Sequence, residues 1–321
     1  MKLMQNVGLA AALLGASAGL AHAEADQFPT GPVALIVPFS PGGVVDLGAR
    51  VLAEELGKLW GEPVVVENKP GGGSIIGTMD VVRAEADGQT LLFTSSSLPV
   101  NRAIKPSLPF DPLEDLVPVS LIGRGATIVS VGPRVEATSI EELAAEASER
   151  PIFFGTSGHG SSSHLSGEAL NLALGTEMEP VHYKSGGEAV LDIVASRADL
   201  NVGNLPAVQS FLADGRIRVL AVLGDERLAA LPDVPTMAEL GYDNAEVYSW
   251  TAVFAPAGTQ EAVVERINAD IGTVLEGEKF QDFMTTSQMF AAPDETADFA
   301  AFVAREMDFW ATIAREREIT E

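Results

Sequence analysis

The chain has 321 residues, no cysteine, and 45 acidic against 20 basic side chains, for a formal net charge of −25 at pH 7. A field of that sign with no basic cluster excludes nucleic acid and anionic membrane surfaces as partners. Without cysteine there is no disulfide framework, thiolate nucleophile or cysteine–metal site, so the fold rests on its core, and a 46% hydrophobic composition suffices for one large or two ordinary domains.

At the amino terminus Lys2 precedes an apolar run over residues 7–20 and then Ala21-His22-Ala23, a small-x-small cleavage pattern. The run falls short of the roughly 20 residues that span a bilayer as a helix. It reads as a signal peptide over residues 1–23, and the lack of cysteine excludes a cysteine-linked lipid anchor.

Next, Val33-Ala34-Leu35-Ile36-Val37 reads as a strand, Pro38-Phe39-Ser40-Pro41-Gly42-Gly43 as a turn, and the stretch opened by Asp46 as a helix. Glycines let the backbone approach a ligand closely, and the first helical turn carries amides with no intrahelical partner, so this corner suits an anion. Leu47, Val51, Leu52, Leu56 and Leu59 are expected on the buried helical face, followed by the strand Val64-Val65-Val66. The turn Asn68-Lys69-Pro70-Gly71-Gly72-Gly73-Ser74, a helix around residues 75–85 and the strand Thr90-Leu91-Leu92-Phe93-Thr94 complete the pattern. Loops at the carboxyl ends of parallel strands bind ligands in open α/β sheets, which puts residues 40–43, 71–74 and 94–97 on one rim.

Residues 117–120 and 126–131 read as two extended segments separated by Gly123-Arg124-Gly125, a crossing into a second unit. There a second corner repeats the first: the strand Ile152-Phe153-Phe154, a polar turn from Gly155 to Ser163, and a helix from His164. Its amides and hydroxyls suit a carboxylate held without a paired Arg or Lys. Strands follow at residues 199–202 and 217–222, then at 248–254. Beyond Pro256-Ala257-Gly258-Thr259 the chain reads as helical to its end, with Phe299, Phe302, Val303, Met307 and Trp310 as a core stripe.

Catalytic motifs fail on spacing. Ala49 stands where a P-loop needs Lys, and Ile76 where a dinucleotide fold needs its third glycine. His159 replaces the last glycine of a nucleophile elbow, and His159 and His164 are five apart instead of four. Ser157 or Ser162 with His164 or His182 as base stays open as a serine hydrolase alternative.

Five ordered stretches carry a family resemblance: Pro38-Phe39-Ser40-Pro41-Gly42-Gly43-Val44-Val45-Asp46, Val66-Glu67-Asn68-Lys69-Pro70-Gly71-Gly72-Gly73, Gly158-His159-Gly160-Ser161-Ser162-Ser163-His164-Leu165, Tyr183-Lys184-Ser185-Gly186-Gly187 and Leu231-Pro232-Asp233-Val234-Pro235-Thr236-Met237-Ala238-Glu239. The chain resembles the tripartite tricarboxylate transporter receptors, the Bug or TctC-like periplasmic solute-binding proteins, from about Phe28 to its last helix. The resemblance implies a type II periplasmic-binding-protein fold, two α/β domains with a ligand cleft between them, residues 24–125 plus 248–321 forming one and 126–247 the other. It places Phe39, Ser40, Gly42, Gly43 and Asp46 on one wall and Thr156, Ser157, Gly160, Ser161 and Ser162 on the other, with Ser95, Tyr183, Ser185 and Asn204 as further candidates. Asp46 reads equally as a helix cap.

By the same resemblance the protein is a monomeric periplasmic receptor, not an enzyme, without metal or cofactor, that hands a small organic acid to membrane permease subunits. Dicarboxylate, tricarboxylate, acidic amino acid and aromatic acid all stay open. So does a sensory role, in which the same ligand is presented to a signalling partner.

Overall fold

Four of the five residues of β1 (Val33–Val37) are buried, as befits a strand covered on both faces. The computed structural model that shows this describes residues 28–242, 245–292 and 296–320; the leader expected at residues 1–23 lies outside them. Helix α1 (Val44–Trp60) lays Ala49, Leu52, Ala53 and Leu56 on the sheet, an i, i+3, i+4, i+7 stripe. The sequence pattern put Leu47 and Leu59 on that face, but they are 46% and 47% exposed. The alanines displace them, since small side chains let the helix approach the sheet closely. Each fully buried leucine contributes about 1.5–3 kcal/mol of transfer free energy. Gly61, left-handed at φ 72°, donates its amide to the Gly57 carbonyl and ends the helix.

Strands β2 (Val64–Asn68) and β3 (Thr90–Ser95) flank β1 in parallel, connected through helix α2 (Ile75–Val82), and α3 (Ser97–Ile104) follows. The chain then enters β4 (Leu116–Val131), one strand of 16 residues where the sequence suggested two segments. Gly123 sits inside that strand because a Cβ there would lie 2.7 Å from the Phe290 carbonyl oxygen.

The second unit contains α4 (Ile140–Glu149), β5 (Phe153–Thr156), α5 (Ser162–Leu174), β6 (Glu179–His182), α6 (Gly186–Val194), β7 (Leu200–Asn204), α7 (Gln209–Ala213) and β8 (Arg218–Val222). The chain returns through β9 (Tyr248–Pro256) and continues as α8 (Glu261–Leu275), α9 (Glu278–Thr286), β10 (Phe290–Ala291) and α10 (Thr296–Glu316). Strand β10, absent from the all-helical expectation, pairs with Gly123 and Arg124 of β4.

The sheet runs β2-β1-β3-β9-β4-β7-β5-β6. Residues 116–126 of β4 pair with β9, whereas 127–131 pair with β7 and 128–131 also with β8. Both units thus have the same design: β1 sits between parallel β2 and β3, and β5 between parallel β6 and β7. Strand order reverses at β1 and at β5, so the crevices open beyond the carboxyl ends of those two strands, where the two glycine corners lie.

Helix α10 joins the two cores. Phe299, Val303 and Met307 pack with Trp250 and Phe254 of β9, while Trp310, Ile313 and Ala314 pack with Phe154, Leu165 and Leu170 of the second unit.

Candidate functional site

At the first corner the helix starts without a side-chain cap. Gly43 is the N-cap, and the amides of Val44, Val45 and Asp46 have no intrahelical acceptor. Asp46 instead organises the turn from inside. Its carboxylate accepts from the Gly42 amide at 2.8 Å, from Asn68 Nδ2 at 2.8 Å and from Arg50 Nε at 3.1 Å, and the residue is only 2% exposed. Burial works against the charge, yet the hydrogen bonds from Arg50, Gly42 and Asn68 outweigh it and hold the carboxyl below the ordinary carboxylate range. Asp46 is thus not the N-cap of α1, which is Gly43; its carboxylate ties the turn to Asn68 and Arg50. Asn68 also donates to the Phe39 carbonyl, and the Phe39 ring packs against the core of the first unit. Ser40, Gly42 and Gly43 are exposed.

Two of the three loops expected on one rim, residues 71–74 and 94–97, are tied together by side chains. Ser97 Oγ lies 3.4 Å from Ser74 Oγ, and Asn101 Nδ2 donates to Ser74 Oγ and to the Gly73 carbonyl.

At the second corner most of the expected hydroxyls are already engaged. Ser161 is the N-cap of α5, accepting from the His164 amide and donating to the Gly158 carbonyl at 2.7 Å. Thr156 is fully buried, with Oγ1 2.8 Å from His182 Nδ1 and accepting from the Gly158 amide. Gly160 is buried and donates its amide to His164 Nδ1. These three support the corner and do not line the cleft. One residue of this corner that sequence reasoning missed is Ser163, whose Oγ accepts from the Ser157 amide at 2.9 Å and lies 3.1 Å from both Ser157 Oγ and Ser161 Oγ.

Behind this corner His159, His164 and His182 form a triangle with ring centroids 4.8–5.5 Å apart. Since His164 Nδ1 accepts the Gly160 amide, its ring proton sits on Nε2, 3.9 Å from Glu168 Oε1. Burial, with His182 and His159 adding to it, pushes the His164 imidazole down to about 4. Among the described residues no serine hydroxyl is hydrogen-bonded to a histidine ring, the relation that the hydrolase alternative requires.

The two corners meet in a cleft of two adjoining chambers of about 230 and 350 Å³ that share Ser96, Ser162, Asn204, Ala207 and Ser249. The smaller is polar, lined by Thr127, Ser157, Ser163, Ser166, Asn201 and Tyr248 among others. The larger is reached by Ser95, by Val44 and Val45 at the start of α1, and by Leu205, Leu228 and Trp250. No Arg or Lys occurs among the described residues lining either chamber. The arrangement presents helix-start amides and neutral donors to an anion from two sides. Three roomier grooves lie elsewhere: one of about 540 Å³ at the starts of α8 and α10 carries Glu261 and Glu265, one of about 560 Å³ carries Glu276, and one of about 530 Å³ sets Arg134 and Arg150 among four glutamates.

Of the expected site residues, Ser95, Ser157, Ser162 and Asn204 line the cleft. Tyr183 shares a hydrogen bond with Asp192, and Ser185 is the N-cap of α6, where the neighbouring Gly186 reaches the polar chamber instead. Ser166, Asn201 and Ser249 were missed because they lie in strands or a helix interior with no glycine turn to mark them, whereas Ser96, the turn residue before α3, falls in the rim expected at residues 94–97. Tyr248 was quoted only as the start of a strand.

Comparison with known proteins shows the family and the fold. Residues 48–319 match the family described as tripartite tricarboxylate transporter family receptor. The chain is similar to protein BugT of Bordetella pertussis, 38% identical over 309 residues and 94% of each chain. Among solved structures, an R. palustris protein with adipate superposes with a TM-score of 0.77 at 31% identity, covering 91% of this chain and 99% of that one. The periplasmic binding protein BugD gives 0.74 at 30% identity over the same shares.

Proposed function

Because the chain belongs to the tripartite tricarboxylate transporter family of receptors, we propose that it captures a small organic carboxylate in the periplasm and delivers it to a membrane permease. The observation that carries this reading is a single cleft reached by the starts of α1 and α5 and lined by hydroxyls and amides without a cation. An oxyanion there replaces its hydration shell by fixed donors, each charge-assisted bond being worth about 1.5–3 kcal/mol. The adipate held by the similar R. palustris protein is a ligand of this class.

In this reading residues 24–125 with 248–321 move against residues 126–247. The hinge lies where β4 changes partners after Ala126 and where β9 begins at Tyr248. Only a ligand that touches both walls favours the closed form, because populations shift by differential affinity alone. In this reading the ligand leaves unchanged; among the described residues lining the cleft no serine hydroxyl is hydrogen-bonded to a histidine ring. Among the described residues no helix is long and apolar enough to cross a membrane.

Calorimetric titration with adipate, citrate, glutamate and benzoate, one acid from each open class, tests the reading. One-to-one binding with recovery of the intact acid is expected. Consumption of the acid by the pure protein, or no binding across a wider panel of organic acids, overturns it.

A further inference from the structure

One carboxylate holds an aromatic side chain in each chamber of the cleft. Glu306 Oε2, on α10, accepts from Trp250 Nε1 at 2.8 Å and from Trp310 Nε1 at 3.1 Å. Trp250 lines the larger chamber and Trp310 the polar one, and both side chains are otherwise buried at 1% exposure. The Trp250 carbonyl in turn accepts from the amide of Ser96, which lines both chambers. Trp250 packs in a core of the first unit and Trp310 against that of the second, and all three residues of the bridge belong to the 248–321 segment of the first unit, on the side that meets the second.

We infer that Glu306 is a positioning residue for the binding cleft: by accepting both indole N–H groups it fixes the two tryptophans that close the back of the two chambers. This rests on the reading of the cleft as the carboxylate site. A tryptophan N–H buried away from water needs an acceptor, and a single oxygen with two lone pairs serves both. With both N–H groups turned to Glu306, the indoles offer the cleft only hydrocarbon edge, and their orientation sets its depth. A bridge kept only for stability would be a poor choice, because burial pushes the Glu306 carboxyl up and the two indole donors only partly offset that cost. The third tryptophan is outside this arrangement, its Nε1 donating to Asp270 on α8.

The test compares Glu306→Gln, which keeps an oxygen able to accept both bonds, with Glu306→Leu, which keeps neither. Affinity for adipate, citrate, glutamate and benzoate is measured at a temperature where circular dichroism shows each variant folded. Glu306→Gln is expected to bind the preferred acid within about threefold of wild type, and Glu306→Leu at least about tenfold more weakly. If Glu306→Leu does not fold, Trp310→Phe, which removes one indole donor while Glu306 stays, carries the test and is expected to lose affinity in the same direction. Wild-type affinity in the folded Leu variant, or in the Phe variant, overturns the inference while leaving the receptor reading intact. If wild type binds none of a full acid panel, the receptor reading fails first and this inference fails with it.

Discussion

His164 Nδ1 accepts the Gly160 backbone amide at 3.1 Å, so the second corner is held by an imidazole that must stay neutral. The folded-state value of about 4 lies below the ordinary 6.5 because burial, His182 and His159 all disfavour the cation. Above 6.5 the ring is neutral folded or unfolded and contributes nothing to the pH dependence. Between 6.5 and 4 the unfolded chain takes up a proton that the folded one refuses, so stability falls as the solution becomes more acid through that window, by up to about 3 kcal/mol. Denaturant titrations at a series of pH values should show this slope, and His164→Asn should flatten it. An equal slope in both proteins contradicts the assignment.

The first corner separates two adjacent glycines. Gly42 is held at φ +92°, a left-handed conformation that costs an L-residue about 1–2 kcal/mol, whereas Gly43 is extended at φ −80° with open space around its Cβ direction. Gly42→Ala should therefore lower the melting temperature, while Gly43→Ala should leave it near wild type.

Asp46 holds Gly42, Arg50 and Asn68 together. Asp46→Ala removes the acceptor these donors share and should destabilise the fold by about 1–2 kcal/mol, since Gly42 and Arg50 reach solvent and can bond to water instead, with loss of carboxylate binding through the disordered turn. Thermal melts and adipate titration read the two effects. A variant that melts and binds as wild type does would show the turn to be set by glycine geometry alone.

Two adjacent hydroxyls should behave differently. Ser161→Ala removes the cap of α5 and should cost about 1 kcal/mol of stability with little change in affinity. Ser163→Ala strands the Ser157 amide at the lining of the polar chamber and should weaken carboxylate binding roughly tenfold, the equivalent of about 1.4 kcal/mol. The reverse ranking would put the ligand on the Ser161 side of the corner.

Closure of the cleft should be visible by small-angle scattering. Saturation with a bound acid is expected to reduce the radius of gyration, since the walls are joined through β4 and the return at β9. An identical curve with and without acid, from an open starting form, counts against the hinge.

What the sequence determines by itself is whatever a few consecutive residues dictate. The β-branched run of β1, the glycine turn and a helix after each corner are set by local backbone preference and are legible in the order of residues, although the helices begin at Val44 and Ser162, two residues before the starts read from the sequence. What only the tertiary structure decides is where each polar group spends its hydrogen bonds. Asn68 reaches Asp46 across 22 positions, His182 reaches Thr156 across 26 and Glu306 reaches Trp250 across 56. Those meetings turn Asp46 and Thr156 into supports, while Ser161 is taken by its own helix start, and Ser157, Ser162, Ser163 and Asn204 are left at the cleft. In a buried corner every donor and acceptor needs a partner. For Asp46 and Thr156 a partner arrives from a distant part of the chain, and no spacing rule encodes it.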